Sequence, residues 1–118
     1  MELSIFDFNG SPMAELISAN VEINTVDDAL DLIGNCSYLG AHRVIIHEKN
    51  LNPDFFDLKT KLAGDILQKF STYDIRLGIV GDFSKYESKS LKDFIRESNK
   101  IGRIVFAARF DEAKQRLG

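Results

Sequence analysis

Tryptophan is absent from this 118-residue chain, cysteine occurs once and proline twice. A single cysteine cannot close an internal disulfide, which excludes the small secreted scaffolds built on such bridges. Cys36 lies on the apolar side of an expected helix, with no local base or cation, and reads as a buried small hydrophobe rather than a reactive thiol. There are only two histidines, His42 and His47, and no second His stands at ligand spacing from His47, so no metal is expected. No run reaches the ~20 apolar residues of a membrane span. Met1-Glu2-Leu3-Ser4-Ile5 lacks the basic patch and apolar run of a signal peptide. The reducing cytosol is therefore the expected compartment. Positive charge is also scarce: 15 Lys+Arg stand against 18 Asp+Glu, for a net charge of −3. Nothing steers the chain to nucleic acid or to an anionic membrane, and neither is expected as a partner.

What remains is ordinary globular material, 44% hydrophobic and 28% charged. The length fits one domain able to bury its own core. Leu3–Phe8 alternates, Asn9-Gly10 is a strong hairpin signal, and Met13–Ile17 returns, so the chain opens with a β-hairpin. Thr25 caps a first helix whose Asp27 and Asp28 suit its positive pole, and Gly40 stops it. Arg43–His47 and Ile75–Gly81 are apolar runs without alternation, which marks strands covered on both faces. Asp57 is the expected cap of a second helix with Leu58, Leu62, Ile66 and Phe70 on its buried stripe. Gly64 within it suggests a close approach to the sheet. A third helix starts from a capping box, either Ser84 with Glu87 or Ser90 with Asp93, and ends at Gly102. Arg103–Ala107 is the last strand, and Glu112–Leu117 a terminal helix.

The order is β-β-α-β-α-β-α-β-α. It predicts an α/β fold with a mixed sheet of about five strands, the last three parallel because strand-helix-strand crossovers keep one hand. The free edge of the hairpin offers a route to a homodimer.

Ligands of such sheets sit beyond the carboxyl ends of the parallel strands. Two loops qualify, His47–Asp57 and Gly81–Glu87. The candidate binding residues on them are His47, Asn50, Asn52, Asp57, Asp82, Ser84, Lys85 and Tyr86, gathered on one rim with Glu48 and Asp54. Adjacent His47 and Glu48 point to opposite sides of a strand and do not make one metal site. Asp54 and Asp57 read as helix caps rather than paired catalytic carboxylates. Gly78–Asp82 lacks the spacing of a phosphate loop, and no cofactor is expected. Most of Phe55, Phe56, Phe83 and Tyr86 are expected to turn inward and plug the end of the core; turned outward they would form a partner surface. Alternating charges along the third helix form a solvated face.

From Val44 to Leu117 this pattern resembles the STAS domain, the fold of anti-sigma-factor antagonists. The features are the strand at Val44-Ile45-Ile46 with a helix soon after Asp57, the strand Leu77–Gly81 leading to a helix, and Ile104-Val105-Phe106 followed by Phe110-Asp111-Glu112-Ala113. Antagonists of that fold carry Asp-Ser-Ser-Gly at the helix start, with a serine as phosphate acceptor. This chain has Asp57-Leu58-Lys59-Thr60 there, so the resemblance brings no phospho-switch; Thr60 is the nearest hydroxyl. Over most of its length the chain is also similar to a bacterial family known only as domain of unknown function 4180. Leu30–Cys36, His47–Leu58 and Gly81–Tyr86 carry that similarity, which implies no activity.

Two readings of function follow. The first is a non-catalytic regulatory or protein-interaction module, preferred because no complete catalytic set is present. The alternative is a small-ligand or anion-binding domain, or a modest enzyme, using the two loops.

Overall fold

The computed structural model describes residues 1–118. Strands β1 (Glu2–Phe8) and β2 (Ser11–Ile17) form the hairpin, followed by α1 (Val26–Tyr38) and β3 (Arg43–His47). Then come α2 (Leu62–Thr72), β4 (Arg76–Val80), α3 (Lys89–Ile101), β5 (Ile104–Ala107) and α4 (Phe110–Leu117). The sheet is laid down in chain order, β1-β2-β3-β4-β5. β1 is antiparallel to β2, and every later neighbour is parallel. The three expected parallel strands are present, and β2 joins them as a fourth.

A sheet that grows one strand at a time, in one direction and with one crossover hand, must place its connecting helices on a single face. α1, α2 and α3 accordingly share one side. Ala14, Leu16, Val44, Ile46, Leu77, Ile79 and Phe106 point there and pack on Ala29, Leu32, Ala63, Ile66, Phe70 and Leu91. Burying a large apolar side chain contributes roughly 1.5–3 kcal/mol, so this cluster supplies most of the driving force for folding. α4 follows the last strand and crosses to the other face. There Ala113 and Leu117 meet Met13, Ile45, Val105 and Ala107. Its close seat depends on Gly78: a Cβ at that position would stand 3.1 Å from Leu117 Cδ1 and 3.4 Å from Ala113 Cβ. Lys114 spreads over the rings of Phe6, Phe8 and Phe110 and ties α4 to the hairpin.

Two arginines fasten the amino-terminal ends of the strands. Arg43 donates to the carbonyls of Phe8 and Ser11 at 2.7 and 2.8 Å. Arg76 donates to the carbonyls of Leu117 at 2.6 Å and Gly102 at 2.8 Å, the last residue of α4 and the C-cap of α3. A cation at a helix carboxyl end also satisfies the negative pole of its dipole.

Three expectations are corrected. The second helix begins at Leu62, not Leu58: Asp57 caps a short 3-10 turn, Leu58–Thr60, and Lys61 with φ of 65° breaks the chain before α2. Neither expected capping box starts α3. Ser88 does, accepting from Leu91 N–H at 3.2 Å, because Ser84 is held in a turn by Asp82. Gly64 makes no close approach, since a Cβ there would meet nothing; Gly78 does so instead.

Candidate functional site

The sheet itself divides the carboxyl-end rim. Ile45 and His47 point to the α4 face, whereas Phe106, with Phe83 and Tyr86 packed on the same cluster, belongs to the three-helix face. The expected single gathering is therefore divided between two faces, and no hydrogen bond or ion pair joins His47 to Asp82.

On the α4 face, beyond the reach of that short helix, His47 Nε2 lies 2.7 Å from Glu15 Oε2. Both side chains are about a quarter exposed, at 27% and 22%. They border a shallow 450 Å³ depression with Ile17, Ser18, Ala19 and Lys49. Glu15 escaped the sequence reading. Its signal was a lone carboxylate in an otherwise apolar return strand, but only the parallel register of β2 on β3 brings it to His47.

On the three-helix face, Glu48 is the hub. Its carboxylate accepts from the Tyr86 hydroxyl and pairs with Lys85 Nζ at 2.7 Å. The Tyr86 ring stacks on Phe56 with centroids 5.0 Å apart, and Phe83 bridges Phe56 to Phe106. Phe55 and Phe56 are buried, so the aromatics do close the core end as expected. Burial, then the hydrogen bond to Glu48 and the charge of that carboxylate, raise the Tyr86 pKa well above the usual phenol value and keep its hydroxyl a donor. Gly81 makes room for this arrangement: a Cβ there would stand 2.6 Å from Glu48 Cβ. Between the cluster and the loop before α1 opens a cleft of 390 Å³. It is lined by Val21, Leu51, Pro53 and Phe56, with Lys49, Lys85, Glu48 and Tyr86 around them. Lys85 is half exposed at this cleft.

The remaining candidates hold the loops in shape. Asn50 is fully buried. Its Oδ1 accepts from His47 N–H at 3.0 Å, and its Nδ2 donates to the carbonyls of Ser18 at 3.0 Å and Asn20 at 2.9 Å. Its backbone carbonyl accepts from Glu22 and Ile23, both at 2.9 Å. Asn50 thus pins the loop after β2 to the loop after β3. Asn52 caps the 3-10 turn Pro53–Phe56 through Asp54 N–H. Asp57 caps the next one through Lys59 N–H. Asp82 accepts from Ser84 N–H and Oγ, and these bonds hold its carboxyl below the usual carboxylate range. The Thr60 hydroxyl donates to the carbonyls of Asp54 and Asp57, at 2.7 and 2.8 Å.

No three His, Cys, Asp or Glu side chains come together to hold a metal ion, and no helix is long and apolar enough to cross a membrane. The family model described as a domain of unknown function (DUF4180) matches residues 8–117. No curated protein and no solved structure matches the chain.

Proposed function

The chain belongs to the DUF4180 family, and we propose that this member is a small non-catalytic regulatory module that binds a partner protein through the cleft beside Glu48 and Tyr86. One observation carries the reading. The cleft has an apolar lining, with Val21 40% exposed at it, while Glu48, Tyr86 and Lys85 are spent on one another. An open apolar lining with ammonium groups at its border suits a partner side chain that is itself apolar and flanked by a carboxylate. Lys49 makes no ion pair within the chain and is free to meet that carboxylate.

We also assign the module a STAS-like architecture and a cytosolic setting. The sequential strand order, with α1, α2 and α3 on one face, supports the first. The lone buried thiol accords with the second. The phospho-switch of STAS antagonists finds no support: Asp57-Leu58-Lys59-Thr60 precedes α2 as a 3-10 turn, and the Thr60 hydroxyl is donated to backbone carbonyls.

A second reading is favoured by one feature: the unpaired ammonium group of Lys49 borders the same cleft as Lys85, whose half-exposed ammonium would have to leave Glu48 to share an anion. The two ammonium groups suit a small carboxylate or phosphate. Two measurements separate the readings. A photo-crosslinking residue replacing Val21 in the intact cell is expected to trap one defined protein, whereas the same residue at Tyr38, 89% exposed, traps none. If Val21 traps nothing specific while phosphate, a nucleotide or a carboxylate raises the melting temperature, the ligand reading stands and the partner reading falls.

A further inference from the structure

The two edges of the sheet are built differently. β5 has four residues, and Asn99 of α3 covers its outer side. Phe106 N–H donates to Asn99 Oδ1 at 2.8 Å, and Asn99 Nδ2 donates to the Phe106 carbonyl at 3.1 Å. β1 is seven residues long, pairs with β2 along its whole length without a bulge, and has no strand on its outer side. It contains no proline, lysine or arginine, and its only charges are the carboxylates of Glu2 and Asp7 near its two ends.

The hairpin geometry fixes which groups face outward. Asn9 and Gly10 have φ of 52° and 87°, a two-residue primed turn. The flanking pair Phe8–Ser11 then exchanges its hydrogen bonds, and strict alternation turns the N–H and C=O groups of Leu3, Ile5 and Asp7 away from β2.

We propose that β1 is a homodimer interface, in which β1 of a second copy adds antiparallel with Ile5 on the two-fold axis. The two sheets become one continuous sheet. A two-fold contact must be self-complementary, and this register is. Ile5 faces Ile5, Leu3 faces Asp7, Ser4 faces Phe6, and Glu2 faces Phe8. Every outward-turned residue then meets an outward-turned residue, for about six hydrogen bonds, and no carboxylate opposes another. A one-residue shift sets outward groups against inward ones and puts Glu2 opposite Asp7. A two-residue shift drops either Leu3 or Asp7 from the ladder. Ile5, 40% exposed, shares its face with Leu3, which packs on the large core cluster, so the Ile5 pair extends apolar contact across the axis. This inference stands apart from the cleft and its partner.

The test is sedimentation equilibrium of the whole chain from low to high micromolar, beside Ile5→Pro. Proline at this position removes an outward N–H and leaves the bonds to β2 intact. The parent chain is expected to be dimeric, and the Ile5→Pro chain monomeric at the same concentrations with an unchanged circular dichroism spectrum. Ile5→Cys supplies an arm that does not depend on the proline variant folding. Its thiols are expected to be joined by a short bismaleimide, while those of Tyr38→Cys are not. Buried Cys36 adds no competing thiol. Leu3→Cys and Asp7→Cys chains should join to each other when mixed, and not to themselves. A parent chain that is monomeric throughout overturns the proposal. So does a dimer that survives Ile5→Pro, or one whose Ile5→Cys thiols stay apart.

Discussion

His47 Nε2 sits 2.7 Å from Glu15 Oε2, across neighbouring parallel strands and on the part of the sheet that α4 leaves uncovered. Both side chains keep contact with water. Solvent screening therefore limits what the pair adds to stability, to about 1 kcal/mol or less. A double-mutant cycle with Glu15→Gln and His47→Gln is expected to give a coupling energy in that range, smaller at high salt. A coupling of about 3 kcal/mol would mean that the pair behaves as a buried one.

Asn50 and Asn52 lie two residues apart, and both are polar loop candidates for binding, yet their surroundings predict unlike behaviour. Asn50→Ala removes three side-chain hydrogen bonds; it strands the Ser18 carbonyl and the His47 N–H, while the Asn20 carbonyl keeps a longer bond from Ser18 Oγ at 3.5 Å. Leaving buried groups unpaired costs about 1–3 kcal/mol each at most, so a total loss of about 2–4 kcal/mol is expected. Asn52→Ala removes one cap bond and a long bond from its Nδ2 to the Asn24 carbonyl at 3.4 Å, both exposed, and should cost about 1 kcal/mol or less. Urea melts of the two variants check this. Equal losses would show that Asn50 is not the pin between the loops.

These roles explain how much was legible in advance. Strand and helix order follows from local chemistry, because Asn9-Gly10, Thr25 and the apolar run Val44-Ile45-Ile46 each act within a few residues. The aromatic plug was legible for a related reason, since exposing Phe55 and Phe56 together in a polar turn would leave a large apolar patch in water. The partners of the polar loop residues were not. Asn50 binds carbonyls some 30 positions upstream, and His47 finds Glu15 only through the pairing of β2 with β3. The start of α2 was misplaced because Asp57 signals a cap equally well for a 3-10 turn. What ends that turn is Lys61 in the left-handed region, which its side-chain type does not announce.

Gly78 sets how closely α4 approaches the sheet. Gly78→Ala places a methyl 3.1 Å from Leu117 Cδ1, so Leu117 must give by a few tenths of an ångström in a packed seam. Overpacking of this kind costs about 1–3 kcal/mol. Shortening the opposing side chain should relieve it: in the Gly78→Ala background, Leu117→Ala is expected to cost less than it does alone. Thermal melts of the four chains measure the difference. Simple additivity would place the contact elsewhere.

Cys36 carries the last prediction, through its ionisation. The thiol is buried in the large core cluster, and burial alone pushes its pKa up from 9.0 to about 12. In the folded chain the neutral thiol is favoured; in the unfolded chain it ionises near 9.0. The sign follows. The thiol's contribution to stability is complete below pH 9, declines as pH rises above that because only the unfolded state loses the proton, and stops falling near pH 12. Each pH unit in that window is worth about 1.4 kcal/mol. Between pH 8 and pH 10, the parent chain should therefore lose about 1.4 kcal/mol more stability than Cys36→Ala, whatever baseline offset the alanine introduces. A thiol-reactive dye should likewise label the parent chain only at the rate of unfolding, since the folded state supplies almost no thiolate. Fast native labelling, or parallel pH profiles for the two chains, would show that Cys36 is open to water.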